Sequence, residues 1–93
     1  MIIGSCRIEL SLPGSFSLKD KRRVLVSLLE RMRRKFNVSA AEVEDQELWQ
    51  RAVIGVAVVS NESRHCDEVL SHLIRWIEAS GEALLIDYQV EIL

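Results

Sequence analysis

Positive charge is concentrated in one stretch of this 93-residue chain, and that stretch is where binding chemistry is most evident. Residues 18–36 hold eight basic side chains against Asp20 and Glu30, a charge of +6 in a chain whose net charge is −2. Four of these cations stand in the first turns of a predicted helix, where the helix dipole disfavours each by about 0.3–1 kcal/mol: Lys19, Lys21, Arg22 and Arg23. Because helix N-termini attract anions, this placement predicts a phosphate-binding site.

The other basic residues of the stretch stand near its C-terminal end, where the dipole favours cations. Arg33, Arg34 and Lys35 need no ligand to explain them, and Glu30 is spaced to pair with Arg34 at i,i+4. The predicted anion-binding set draws on both ends of the helix: Ser17, Lys19, Lys21, Arg22, Arg23, Arg31 and Arg34.

Arg22 falls close to the centre of the apolar stripe on a helical wheel. Two explanations are open. Its side chain reaches past the edge of the sheet toward a ligand, or it pairs internally with one residue of an acidic run: Glu42, Glu44, Asp45 and Glu47. The same acidic run is otherwise expected to be solvated.

Few residues could carry catalysis. His65 and His72 are seven positions apart on one predicted helix, too far to share a metal without a third ligand, and neither has a nucleophile placed for activation. Cys6 and Cys66 occupy apolar positions without metal-type spacing, so we expect buried free thiols. No glycine-rich phosphate loop is present. We therefore predict a protein that is not an enzyme, with no catalytic residues, metal or cofactor.

The basic stretch must be positioned by a helix and a sheet. Ser17, with Asp20 three residues later, resembles a capping box, and Asn37 is a plausible left-handed stop. Apolar residues recur at helical spacing between these two ends: Leu18, Leu25, Leu28, Leu29, Met32 and Phe36. A second helix is predicted over 62–80, with Ser60 and Asn61 as N-cap candidates.

Strands are predicted over 2–12, 38–44, 51–60 and 84–92 from their alternation or continuous apolar character. The order βαββαβ predicts an α+β, ferredoxin-like sandwich: a single domain over 1–93, a four-stranded sheet of order 4-1-3-2 and two helices on one face. We expect the first and third strands to be central and parallel neighbours.

The uncovered sheet face is expected to be apolar and to suit a second subunit; its residues are Ile3, Val53, Gly55, Ala57, Val59 and Leu85. The first and third strands contain no aromatic residue, which argues against base stacking on the sheet. Trp49 and Trp76 are interpreted as caps at the edge of the core, with a role at an interface as the alternative.

Composition is that of an ordinary globular domain, with 48% hydrophobic and 28% charged residues. The apolar runs are too short to span a bilayer, and no basic segment followed by an apolar one resembles a signal peptide. We therefore expect a cytoplasmic protein without a membrane partner.

Three motifs carry a family resemblance: S-L-K-x-K-R from Ser17, N-V-S-x-x-E from Asn37 and W-Q-R from Trp49. Together with the closing VEIL, they make the chain resemble the YlxP-like family of small bacterial proteins, a domain-of-unknown-function family. The resemblance implies a ferredoxin-like fold. It also implies a connection with RNA or the ribosome, because genes of the family often lie beside those for translation initiation factor two and a ribosome-binding factor. It transfers no catalytic residues.

The leading hypothesis is a non-enzymatic module that binds structured RNA or the ribosome through phosphate contacts of the first helix. The alternative is a protein-interaction module without nucleic-acid binding. In that case a homodimer would form through the open sheet face, or the basic helix would meet the acidic 42–47 hairpin.

Overall fold

The computed structural model describes residues 1–93 and confirms the predicted fold class. Its elements follow in the order β1 (Ile2–Ser11), α1 (Leu18–Phe36), β2 (Ser39–Glu44), β3 (Arg51–Ser60), α2 (Ser63–Ser80) and β4 (Leu84–Ile92). The four strands form one sheet of order β2-β3-β1-β4, which is the predicted 4-1-3-2 order counted from the other edge. Neither helix is long and apolar enough to cross a membrane.

The central strands run in opposite directions, so the prediction of parallel neighbours is wrong. β1 pairs with β3 antiparallel, from Ile2 opposite Ser60 to Ser11 opposite Arg51. The reason lies in the connections. Helix α1 links β1 to β2, and the hairpin then returns β3 between those two strands, antiparallel to both. The helical crossover therefore joins strands that are parallel but not adjacent.

The core lies between one sheet face and the two helices. Alternate residues of β1 point into it, as predicted, with Ile8 and Leu10 fully buried. β3 is buried on both faces along part of its length, which fits its continuous apolar sequence. Leu25, Leu28 and Met32 of α1 and Leu70, Leu73 and Ile77 of α2 complete a single cluster of 20 buried residues.

Helix α1 begins and ends where the sequence predicts. The Ser17 hydroxyl accepts a hydrogen bond from the Asp20 amide at 3.0 Å, and the Asp20 carboxylate accepts one from the Phe16 amide at 3.1 Å. Asn37 adopts the left-handed conformation at φ 51°. Helix α2 differs from the prediction, because its N-cap is Glu62, which makes no side-chain cap. Ser60 instead accepts from the Glu62 amide at 3.1 Å.

Helix α2 packs very closely on β1 at Gly4. A Cβ atom at Gly4 would lie 2.9 Å from Cys66 Cβ, closer than side chains approach one another. Cys6 and Cys66 are buried free thiols, as predicted. Burial raises the pKa of the Cys6 thiol to about 11, against a smaller opposite effect of a backbone hydrogen bond at Gln89.

Candidate nucleic-acid interface

Lys21 is the buried cation of helix α1, with only 1% of its surface exposed. Its Nζ donates to three backbone carbonyls at short distance: Asp45 at 2.7 Å, Leu48 at 2.6 Å and Arg51 at 2.8 Å. Glu42 Oε2 lies 2.8 Å from the same nitrogen. An ammonium group has three N–H donors, and the three carbonyls use them. Glu42 therefore acts as the counter-charge of Lys21 rather than as a well-aligned acceptor.

The prediction that Lys21 contacts a phosphate is wrong, because its ammonium is enclosed by the protein's own oxygens. The inward position assigned to Arg22 is also wrong. Lys21 shares the buried helix face with Leu25, Leu28 and Met32, at spacings of four, seven and eleven residues, whereas Arg22 is exposed. The internal pairing considered for Arg22 thus occurs one position earlier, between Lys21 and Glu42.

Six cations of α1 are exposed and have no carboxylate within 4.0 Å. Arg33 donates to a backbone carbonyl and Lys35 lies on another side of the helix, which leaves four: Lys19, Arg22, Arg23 and Arg34. We call these four residues the basic face. They fall on one side of the helix at spacings of three, four and fifteen residues from Lys19, over a length of about 22 Å. Glu30 lies on the same side and makes no salt bridge, so its predicted pairing with Arg34 is not formed.

Two further predicted residues have structural partners. The Ser17 hydroxyl is the N-cap of α1. Arg31 forms a short salt bridge with Glu82, and its guanidinium carbon lies 5.5 Å from the centre of the Trp76 ring. Trp76 in turn meets Phe36 edge-on at 5.7 Å. This group joins α1 to α2, and Trp76 packs at the edge of the core, as predicted.

Arg33 contacts edge strand β2 of the sheet. Its Nη2 donates to the Ala40 carbonyl of β2 at 2.6 Å. Edge strands expose unpaired backbone groups that can recruit another strand, and this contact occupies one of them. The opposite edge, β4, exposes much of Ile86, Tyr88 and Val90.

The open sheet face is more polar than predicted. Arg7 of β1 bonds Glu44 of β2 at 2.6 Å and Glu9 at 2.8 Å, and Glu9 lies 3.5 Å from Arg51 of β3. The hydrogen bond from Arg7 lowers the pKa of Glu44, and the bonds to Glu44 and then Glu9 raise the pKa of Arg7. An ionic network thus crosses the face on which a subunit interface was predicted.

Two residues of the predicted apolar face are not available on it. Val53 is only 2% exposed. Leu85 stands opposite Leu10 after an irregularity in the β1–β4 pairing, and it packs against the core. Among the residues predicted for this face, Val59 is the one that is exposed, at 63%.

The loop between β2 and β3, residues 45–50, carries two exposed apolar side chains. Leu48 is 49% exposed and Trp49 is 53% exposed, so Trp49 does not cap the core. The sequence signal was a tryptophan inside a charged connection between strands. No sequence pattern could have predicted that Lys21 anchors this loop, because the acceptors are backbone carbonyls, which every residue type carries.

The histidines lie in an open cleft between the end of α1 and the side of α2. His65 and His72 line it with Lys35, Glu68 and Val59 in a volume of about 480 Å³. Both imidazoles are exposed, as predicted. No three His, Cys, Asp or Glu side chains of the chain are grouped so that they could hold one metal ion.

A family model described as "Protein of unknown function (DUF503)" matches residues 3–90. The chain belongs to the DUF503 family. One relative of this DUF503 protein is the "Uncharacterized protein YlxP" of Bacillus subtilis (strain 168). The two are 36% identical over 81 residues, which cover 87% of this chain and 88% of the relative. The resemblance drawn from the three motifs is therefore confirmed.

Proposed function

We propose that this DUF503 protein is a non-enzymatic module that binds structured RNA, alone or within the ribosome, by contacting phosphates through the basic face of α1. One observation carries the proposal: of the four cations at the start of the helix, only Lys21 is neutralised by the protein, while Lys19, Arg22 and Arg23 are exposed and unpaired. The resemblance to a family whose genes often lie beside those for translation factors independently supports a role in RNA or ribosome binding.

The placement of these charges has a physical cost without a partner. Lys19, Arg22 and Arg23 stand close to the positive end of the helix dipole and to one another, so each raises the free energy of the isolated helix. Phosphate groups remove that repulsion. Neutralising several phosphates also releases counterions from the nucleic acid, which supplies affinity that does not depend on sequence.

The test is the salt dependence of binding. Filter binding of a structured RNA over a range of salt concentrations gives a slope of log affinity against log salt, and each lost phosphate contact reduces that slope by about 0.7–0.9. We expect Arg22→Gln/Arg23→Gln to reduce it by about 1.4–1.8.

A matched control separates local contacts from net charge. Arg64 and Arg75 are exposed arginines of α2, so Arg64→Gln/Arg75→Gln changes the net charge equally. This control should keep the wild-type slope. Equal slopes for both double variants, or wild-type protein that does not retain RNA even at low salt, would contradict the proposal.

Self-association is the second candidate, and the edge of β4 favours it. Each edge strand has one backbone group bonded to a side chain, Ala40 O to Arg33 in β2 and the Tyr88 amide to Asp87 in β4. β4 also exposes apolar side chains, with Tyr88, Val90 and Ile92 37–47% exposed. Two copies could pair β4 strands about a two-fold axis. Sedimentation at low and high salt discriminates the candidates, because pairing through an apolar edge persists at high salt whereas phosphate contacts weaken.

A further inference from the structure

Trp49 has an exposed side chain in a loop whose backbone is held by hydrogen bonds. An exposed tryptophan keeps a large apolar surface in water. Three backbone carbonyls on either side of it are nevertheless hydrogen-bonded: Lys21 Nζ donates to those of Leu48 and Arg51, and the Leu12 amide donates to that of Gln50 at 2.9 Å. The indole is therefore presented from an ordered backbone, which reduces the entropy lost when a ligand contacts it.

The same anchor brings the loop that carries Trp49 to the start of α1. Lys21 lies between Lys19 and Arg22 in sequence, so its bonds bring the 45–50 loop against the first turns of α1. Arg22 and Arg33 are eleven residues apart, about three helical turns, and so share a flank of α1. Arg33 contacts β2 on that flank. Arg22 therefore lies on the side of α1 that faces the β2–β3 hairpin.

We infer that Trp49 is a base-stacking platform, and that the preferred ligand is RNA with unpaired bases next to a backbone segment held by the basic face. The inference rests on the proposed function, and it specifies the class of RNA that would bind: RNA with unpaired bases. Aromatic side chains stack any base, because every base has a π face, and a neighbouring cationic groove holds the backbone. The central strands cannot supply this stacking, since β1 and β3 carry no aromatic residue.

The experiment compares two RNAs of equal length, a hairpin with an unpaired loop and a fully paired duplex. Trp49→Ala should lower affinity for the hairpin at least about fivefold and leave affinity for the duplex unchanged. Trp49→Phe keeps an aromatic face and should retain most of the hairpin affinity. Because Trp49 is exposed, neither substitution removes core packing, and circular dichroism verifies the fold.

Fluorescence provides a second readout that a merely structural role would not give. The hairpin should quench the emission of the wild-type protein, and Trp49→Phe should abolish the quenching, because the remaining Trp76 lies at the edge of the core. Unchanged hairpin affinity for Trp49→Ala, or equal quenching by duplex and hairpin, overturns the inference and leaves phosphate binding by α1 intact. Failure of the wild-type protein to bind either RNA overturns both, and would point to a protein partner at Trp49.

Discussion

The ammonium of Lys21 lies 2.8 Å from the carboxylate of Glu42, and both groups sit where α1 crosses the β2–β3 hairpin. This pair separates the cations of α1 into two kinds. Lys21 points inward and organises the 45–50 loop, whereas Arg22, its neighbour in sequence, is exposed. A charge reversal at Lys21 would therefore report on folding, and tests of RNA binding need the exposed cations instead.

Removing the Lys21 charge should destabilise the fold strongly. Lys21→Met leaves Glu42 with an unpaired, partly buried charge and three carbonyls without their donor, so we expect a loss of about 3–5 kcal/mol in the free energy of unfolding. Urea denaturation measures this loss. Lys21→Met/Glu42→Gln should recover part of it, because the double variant no longer holds an uncompensated carboxylate. A loss below about 1 kcal/mol for Lys21→Met would show that the pair is dispensable.

Gly4 should tolerate no side chain. Gly4→Ala places a methyl group 2.9 Å from Cys66 Cβ, which must push α2 away from β1, and overpacking of this kind costs about 1–3 kcal/mol. Gly14→Ala is the matched control, since a Cβ there meets no atom within 4 Å. Thermal unfolding of the two variants checks the prediction, and equal melting temperatures for both would refute the close contact.

The sequence predicted the fold well because the periodicities of strand and helix are local. The alternation in β1, the continuous apolar run of β3 and the cap at Ser17 needed no knowledge of tertiary contacts. The partners of two residues at the site depend on non-local geometry. The spacing of Lys21 from Leu25, Leu28 and Met32 indicates that it points inward. No local pattern shows that backbone carbonyls of the 45–50 loop accept hydrogen bonds from its ammonium. An irregularity in the β2–β3 pairing between Glu42 and Glu44 sets Glu42 opposite Ile54 and Glu44 opposite Val53, so these two residues bind cations in different parts of the molecule.

The ionic network on the open sheet face should make stability depend on pH. The pKa of Glu44 is lowered in the folded protein, from an ordinary value of 4.5, mainly by the hydrogen bond from Arg7. Ionised Glu44 therefore stabilises the fold above that ordinary value, and the contribution is lost as pH falls through the folded pKa. Glu44→Gln should lower the melting temperature at neutral pH, and the difference from wild type should close in acid.

A control for this pH dependence lies in the same hairpin. Glu47 is exposed and has no cation partner, so Glu47→Gln should match wild type at every pH. The comparison is made by thermal unfolding across a pH series. A constant difference between Glu44→Gln and wild type from neutral pH to well below 4.5 would disprove the assignment.

The thiols should be unreactive in the folded protein. A pKa of about 11 for Cys6 leaves roughly one thiol in ten thousand ionised at neutral pH, and both cysteines are buried. A thiol-specific chromogenic reagent should therefore modify neither cysteine under native conditions and both in denaturant. Rapid modification of one cysteine without denaturant would place that thiol at the surface and contradict the packing of α2 against β1.

Removing the exposed cations at the start of α1 should raise stability while weakening RNA binding. Arg22→Gln/Arg23→Gln relieves repulsion with the helix dipole, worth about 0.3–1 kcal/mol for each charge at low ionic strength, and glutamine has nearly the helix propensity of arginine. Arg34→Gln, at the end where the dipole favours cations, should instead lower stability slightly. Urea denaturation at low salt compares the two. If Arg22→Gln/Arg23→Gln destabilises the protein as Lys21→Met does, these arginines stabilise the fold. Their position would then give no support to a phosphate-binding site.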